Sequence, residues 1–343
     1  MQFPGPDAAG EGLWREPATS ATPNAGADTR VPKLALVSDV RPVPERRRLV
    51  VAVGGGKGGI GKSLLSANIG VHWAREGKRV VLIDADLGGA NLHTCLGVPP
   101  PKRTLSDFVD RRVEDLESII APTAVERLGL ISGALDALGA ANPKYPQQLR
   151  LLREIGKLDV DVVVIDLGGG TGFNILDFFL IADRGVLTVV PEPTSIENAY
   201  RFIKAAYYRR LKTAEMNWNL RPLVDEAMGD PARTGLKTPA DLVRYVEAKD
   251  PQSGALLRQE LERFPLDLVV NQVRTPDEQR LGDGISQACR KYFGIPMRFL
   301  GNVPYDDAVW QSVRRRRPVV LDAPQSPASQ SLRRIAEALT RGT

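Results

Sequence analysis

Residues 56–63, Gly-Lys-Gly-Gly-Ile-Gly-Lys-Ser, have the types and spacing needed to hold a polyphosphate. They fit G-x-x-x-x-G-K-[ST], with an apolar run just before and an amphipathic stretch just after. A loop that wraps phosphate oxygens must present its backbone N–H groups. A side chain would obstruct that approach, which accounts for Gly56, Gly58, Gly59 and Gly61, with Ile60 adding its amide to the same cradle. The helix N-terminus that follows adds a favourable dipole end. Lys62 is placed to neutralise the β- and γ-phosphates and Ser63 to supply an oxygen to Mg²⁺. Lys57 is an additional cation that the basic motif does not require.

Carboxylates recur at the ends of apolar runs. Asp84-Ala85-Asp86 closes Arg79–Asp84 and Asp166 closes Asp161–Asp166. Acids at the carboxyl ends of strands beside a phosphate loop stand where metal-bound water and an attacking water would be held. Asp166 reads as an acid acting on Mg²⁺ through its hydration shell. Three glycines, Gly168, Gly169 and Gly170, follow it and fix little of the backbone. Asn271 ends another apolar run, and its amide could donate to and accept from a base edge at once.

The elements that must position these residues are short and alternate. Apolar runs at 49–53, 79–84, 161–166, 185–190, 266–271 and 298–302 read as buried strands. Helical stretches at 62–76, 174–181, 195–211 and 276–293 lie between them. Near-continuous Val/Ile/Leu strands separated by helices predict a doubly wound, mainly parallel α/β sheet of seven or eight strands. Ligands of such sheets bind beyond the carboxyl ends of the strands. Residues 212–264 break the rhythm and read as a helical insertion cut by Pro222, Pro231, Pro239 and Pro251. Residues 1–48 are rich in Pro, Ala, Gly, Thr and Asp without period, which predicts a disordered arm before a domain at 49–343.

Composition narrows the class. The 343 residues are 43% hydrophobic and 25% charged, ordinary for a chain that buries a core. No run spans a bilayer and no signal peptide is evident, so a cytoplasmic protein is expected. Two cysteines, Cys95 and Cys289, and two histidines, His72 and His93, argue against disulfide, iron–sulfur and His-rich metal sites. The net charge is +5, and residues 298–343 hold eight arginines against four acids. That patch points to nucleic acid, anionic lipid or an acidic partner.

With Lys57, the loop resembles the deviant Walker A of the MinD/ParA superfamily of P-loop NTPases (SIMIBI type). Asp84-Ala85-Asp86-Leu87-Gly88-Gly89-Ala90-Asn91-Leu92 and Ile165–Gly170 resemble its MinD/FlhG (FleN) branch most. The resemblance implies ATP and Mg²⁺ as ligands and a slow, partner-stimulated ATPase that dimerises on ATP. It implies that Lys57 reaches the partner subunit's nucleotide, that Asp86 positions the attacking water, and that Asp84 holds Mg²⁺ through water. It further implies that the Gly170 amide approaches the γ-phosphate and that Asn271 and Pro304, in Asn302-Val303-Pro304-Tyr305-Asp306, lie at the base. The function implied is the positioning of a division, flagellar or chromosomal machine, through an activator or cargo protein. A ParA-like ATPase that binds DNA nonspecifically through Arg314–Arg317 is the alternative. The stretch 331–341 (SLRRIAEALTR) is either a thin membrane anchor or a helix that closes the core. The arm, ending in Arg46-Arg47-Arg48, is either a partner-binding segment or a tether.

Overall fold

A computed structural model describes residues 48–341 apart from 87–88, 134–144, 219, 230–235, 237, 263 and 265. The expected arm therefore lies outside the described residues, as do Leu87 and Gly88. Of its basic end only Arg48 is described, and its guanidinium donates to the carbonyls of Leu158 (2.9 Å) and Gly156 (2.6 Å).

Eight strands form one sheet in the order β3-β4-β2-β5-β1-β6-β7-β8. They are β1 (Leu49–Gly54), β2 (Val80–Asp84), β3 (Ala121–Pro122), β4 (Leu128–Ile131), β5 (Val162–Asp166), β6 (Arg184–Val189), β7 (Leu266–Val273) and β8 (Met297–Pro304). All neighbours are parallel except β3 and β4. β2 and β5 are buried at every position, the pattern of strands covered on both faces. The chain moves outward from β1 to β2 and β4, returns at β5, and then adds β6, β7 and β8 on the other side. The reversal lies at β1, where such sheets form a crevice for ligands.

Two cores result, one on each face. α1 (Lys62–Arg75) and α14 (Pro327–Thr340) cover one face, with Trp73, Leu82, Val164 and Leu332 among its buried residues. α5 (Phe173–Ile181), α6 (Pro193–Trp218) and α11 (Leu281–Phe293) cover the other around Phe179, Phe202 and Phe293. Phe179 meets Phe202 edge-on, with ring centroids 4.9 Å apart, and a Cβ at Gly54 or Gly185 would run into the Phe179 ring.

The doubly wound sheet is as expected, and several boundaries differ. β3, β4 and α4 (Tyr145–Ile155) lie in a stretch without a sequence assignment. β4 is only four residues with Gly129 inside, too short for a clear alternation. The helix expected to end at Leu211 continues to Trp218, so the insertion starts later than Lys212. It then comprises α7 (Arg221–Gly229), α8 (Pro239–Lys249) and α9 (Pro251–Glu262). Pro239 and Pro251 open helices, a position where a missing N–H costs nothing. The helix expected over 276–293 is two, α10 (Pro276–Gln279) and α11, meeting at Arg280. The remaining helices are α2 (Leu92–Cys95), α3 (Leu105–Val109), α12 (Asp307–Arg314) and α13 (Val319–Asp322).

Candidate functional site

The loop 55–61 turns directly from the carboxyl end of β1 into α1. Its last glycine, Gly61, caps the helix at φ 92°, in the left-handed region, and a Cβ there would stand 2.2 Å from Asn271 Nδ2. Glycine is required on both counts. Asn271 is buried at the end of β7, donates to the Ile60 carbonyl (2.9 Å), and accepts from the Gln272 amide (2.9 Å). Both ends of this amide are thus engaged at the root of the loop. Pro304 lies one strand further out and lines an edge cavity with Tyr305 and Arg274. The two residues expected at the base are therefore in different surroundings. Ile60 is buried beneath the loop, while Gly58 and Gly59 are exposed at its crest.

Lys62 is buried, and its ammonium donates to the Lys57 carbonyl at 3.0 Å. Burial lowers its pKa, and the nearby Asp166 and Asp86 carboxylates pull in the opposite direction. A cation held against its own loop carbonyl can exchange that partner for phosphate oxygens without moving far.

The acids converge through strand register. Asp84 and Asp166 are direct partners across the parallel β2–β5 pair, and Asp166 is level with Val53 across β5–β1. Asp84 is fully buried and accepts from the Asp86 amide (3.1 Å) and the Leu92 amide (3.0 Å). Burial raises its pKa to about 6 against the pull of those amides. Asp166, equally inaccessible, accepts from Ser66 Oγ at 3.0 Å and from the Ser63 hydroxyl. Burial, and then the Asp84 charge, push it up to about 7. Two adjacent buried carboxyls stand beside the Ser63 hydroxyl, and the one ammonium near them, Lys62, acts on Asp166 and not on Asp84. That donor set fits a hard divalent cation taking hydroxyl and carboxyl oxygens directly or through water. Among the described residues no group of three or more His, Cys, Asp or Glu side chains is placed to hold a metal, so phosphate and water oxygens would have to complete the shell.

Asp86 sits at the mouth of this cluster, and a Cβ on Gly168 would fall 3.1 Å from its carboxyl carbon. The glycine-rich turn after β5 therefore lets the two acidic segments close on each other. A Cβ on its next residue, Gly169, would stand 3.1 Å from the Gly58 amide nitrogen, and Gly170 adopts φ 106°. The loop, Asp86 and Gly168–Gly170 thus adjoin one another at the carboxyl end of the sheet, with Asp84 and Asp166 buried beneath them.

Lys57 faces away from this cradle. Its Nζ donates to Glu192 (3.0 Å), in the turn after β6, and to Thr194 Oγ1 (3.3 Å), at the start of α6. Both members of the ion pair are about half exposed, at 41% and 56%, so the pair contributes roughly 0–1 kcal/mol. Glu192, Thr194 and Ser66 were not singled out in the sequence. The signal was available for Glu192, a carboxylate just beyond the apolar run 185–190.

Two other expectations concern the C-terminal region. Leu332, Ile335 and Leu339 are buried against α1 and β8, and the Trp73 indole donates to the Ala336 carbonyl at 3.2 Å. The apolar side of 331–341 closes the core, so the membrane-anchor reading of this stretch is set aside. Arg314–Arg317 are exposed, with Arg314 over the Trp310 ring (4.7 Å) and Arg315 and Arg317 beside Asp322 (3.0 and 3.7 Å). Cys95 and Cys289 are free thiols packed against opposite cores. No helix among the described residues is long and apolar enough to cross a membrane.

Residues 51–319 match the CobQ/CobB/MinD/ParA nucleotide binding domain. The chain is 27% identical over 290 residues to the antiactivator FleN of Pseudomonas aeruginosa, covering 84% of this chain and 85% of that protein. It is 32% identical over 164 residues to the flagellum site-determining protein YlxH of Helicobacter pylori, spanning 45% of this chain and 52% of the relative. The septum site-determining protein MinD of Pyrococcus horikoshii, solved with Mg-ADP, shares the fold at a TM-score of 0.58 and 20% identity, over 86% of this chain and 97% of that one.

Proposed function

Since this chain belongs to the CobQ/CobB/MinD/ParA nucleotide-binding family, we propose that it is an ATP- and Mg²⁺-dependent dimerising switch ATPase that positions a cellular machine, as MinD- and FlhG-like proteins do. The observation that carries this reading is the placement of Lys57. A second lysine on the phosphate loop is held only by a weak, half-exposed contact with Glu192 and Thr194, which leaves it available to another subunit. In this reading Gly56–Ser63 cradle the phosphates and Lys62 leaves the Lys57 carbonyl for the β- and γ-oxygens. Ser63, Asp84 and Asp166 hold Mg²⁺, with the carboxylates acting through water. Mg²⁺ supplies charge neutralisation to the phosphates and to the buried acids at once.

Asp86, at the mouth, orients the attacking water, and the Gly170 amide meets the γ-phosphate. Lys57 crosses to the partner's nucleotide and stabilises the charge that develops there. Asn271 fixes the loop from the base side, and Pro304 stands at the outer limit of that side. Hydrolysis removes the γ-phosphate contact and frees the subunits. Residues 1–48 serve as an arm that meets an activator or cargo protein, and the whole acts in the cytoplasm. The similarity to YlxH and MinD, named as flagellum and septum site-determining proteins, supports a flagellar or division machine as the object positioned.

The alternative output is nonspecific DNA binding of the ParA kind, favoured by the four exposed arginines 314–317. The experiment pairs Lys57→Ala with the unaltered chain in size-exclusion chromatography and phosphate release with ATP. Loss of ATP-triggered dimers and at least a hundredfold drop in turnover are expected. Dimers and turnover at wild-type levels would overturn the mechanism. Gel shifts with random DNA, repeated after replacing Arg314–Arg317 by glutamine, separate the two outputs, because DNA binding would fall steeply with salt.

A further inference from the structure

Large apolar side chains are covered almost everywhere among the described residues, and the three exposed ones, Tyr305, Trp310 and Val313, all fall in the stretch 305–313. Trp310 and Val313 lie on α12 and are 58% and 47% exposed. The turn that ends this helix carries Arg314, Arg315, Arg316 and Arg317, all exposed. Arg315 and Arg317 stand beside Asp322, whereas among the described residues neither Arg314 nor Arg316 pairs with a carboxylate. Arg314 lies over the Trp310 ring instead. The turn is a fixed platform. Arg316 adopts φ 51°, in the left-handed region, and its carbonyl would stand 2.5 Å from a Cβ on Gly97, just after α2. Ser312 Oγ donates to Asp322 (3.1 Å), and the Val320 amide donates to Asn68 Oδ1 on α1 (3.0 Å). A preordered surface loses little entropy on binding, which makes its exposed tryptophan a low-cost anchor.

An apolar pair beside a run of arginines suits an occupant that brings apolar side chains and negative charge together. The backbone of duplex DNA offers only the charge. Residues 1–16 of this chain offer both. Leu13 and Trp14 stand between Glu11 and Glu16, with Asp7 before them, and Arg15 is the one basic side chain. From 17 to 48 the balance reverses, with six basic residues against three acids and no aromatic residue, so only the first part of the arm complements the platform. Its reach is ample. Extended chain from Glu16 to Arg48 spans about 100 Å, several times the roughly 20 Å length of β1 that separates Arg48 from the carboxyl end of the sheet. A tethered segment also acts at an effective concentration on the order of millimolar, so contacts too weak to hold a free peptide suffice.

We infer that residues 7–16 dock on the α12 platform of the same chain. Leu13 and Trp14 cover Val313 and Trp310, and Asp7, Glu11 and Glu16 face the arginines, Arg314 and Arg316 foremost. The docked arm shields the arginines that a polyanion would need, so this basic face stays closed until a partner draws the arm away. The docking needs no ATP turnover and stands apart from the ATPase reading.

The test uses the full chain with Mg-ADP present and the photoreactive change Trp14→p-benzoylphenylalanine. Irradiation followed by mass spectrometry is expected to join position 14 mainly to residues 307–317 of the same chain, with a yield unchanged on tenfold dilution. The yield should fall fivefold or more when Glu11→Lys and Glu16→Lys are added, and equally when Arg314→Glu and Arg316→Glu are added. All four changes together reverse both partners and should restore it. Cross-links scattered over the domain, or a yield indifferent to either pair of charge reversals, overturn the docking. Products that join two chains and decline on dilution also overturn it, by making a second copy the occupant. Random duplex DNA or phosphatidylglycerol vesicles held by the same arginines should displace the cross-link. Binding of either through Arg314 and Arg316 with the cross-link left in full overturns the docking as well.

Discussion

The two ends of the sheet treat buried aspartates in opposite ways. At the amino end, Asp267 is fully buried and clasped by Arg184 (2.7 and 2.8 Å) and by Arg298 (2.8 and 3.4 Å). At the carboxyl end, Asp84 and Asp166 are as deeply buried, yet they receive only hydroxyls and backbone amides plus the field of a desolvated lysine. One end balances its charge with the chain's own guanidiniums. The other leaves two carboxyls that an external cation would complete. A buried carboxylate marks a functional site here only where its counter-charge is missing.

The largest expected effect breaks the finished end. Asp267→Ala leaves two partly buried guanidiniums without their carboxylate and is expected to lower stability by about 3–5 kcal/mol in urea unfolding. Mg-ADP affinity measured on the folded fraction should hardly change. A loss below 1 kcal/mol would mean that water reaches these arginines and the contrast is false.

Titration sharpens the other half. Folded Asp84 and Asp166 have pKa values raised to about 6 and 7 from an ordinary 3.8. Between about pH 4 and 7 the folded chain therefore binds more protons than the unfolded one, and stability falls as pH rises. Metal-free protein is expected to lose on the order of 1 kcal/mol per pH unit between about pH 5 and 7 from these groups. Mg-ADP should add more to the melting temperature at pH 8 than at pH 5.5, because Mg²⁺ selects the ionised acids. An equal increment at both values contradicts the assignment.

Removing one of those charges should have a smaller effect on stability, of the opposite sign. Asp166→Asn keeps an acceptor for Ser63 and Ser66, so metal-free stability at pH 8 is expected to rise by roughly 1–2 kcal/mol. At pH 5 it should change little, and nucleotide hydrolysis should fall at least a hundredfold. Thermal melts in chelator at the two pH values decide the matter, and destabilisation at pH 8 counts against a missing counter-charge.

The smallest change belongs to Glu192→Gln. An ion pair half exposed at both ends is worth less than about 1 kcal/mol, so melting should stay within that margin. The readout is ATP-triggered association by light scattering, which is expected to shift by a factor of two to five. A shift larger than that of Lys57→Ala would make Glu192 itself the residue at the subunit contact.

Much of this was legible residue by residue. β1, β2, β5, β6, β7 and β8 are runs of apolar residues long enough to announce buried strands, and Asp84, Asp166 and Asn271 mark their polar ends. The phosphate loop was legible because no other residue types permit that backbone geometry together with that cation. β3 and β4 were not, since two and four residues carry no measurable period. The extent of α6 was missed because residues 212–218 are helical like the stretch that follows them, so the sequence marks no break between the two before Trp218.

The sequence alone determined the local chemistry: which loop can wrap phosphates, which strands end in acids, and that a second lysine rides on the loop. Those properties depend on residues adjacent in the chain. Tertiary structure decided which charges meet. Register across β2 and β5 paired Asp84 with Asp166, packing turned 331–341 inward, and the turn after β6 gave Lys57 a weak partner. Charges act through space rather than along the chain, so their partners emerge only once the strands are aligned and the helices are laid across them.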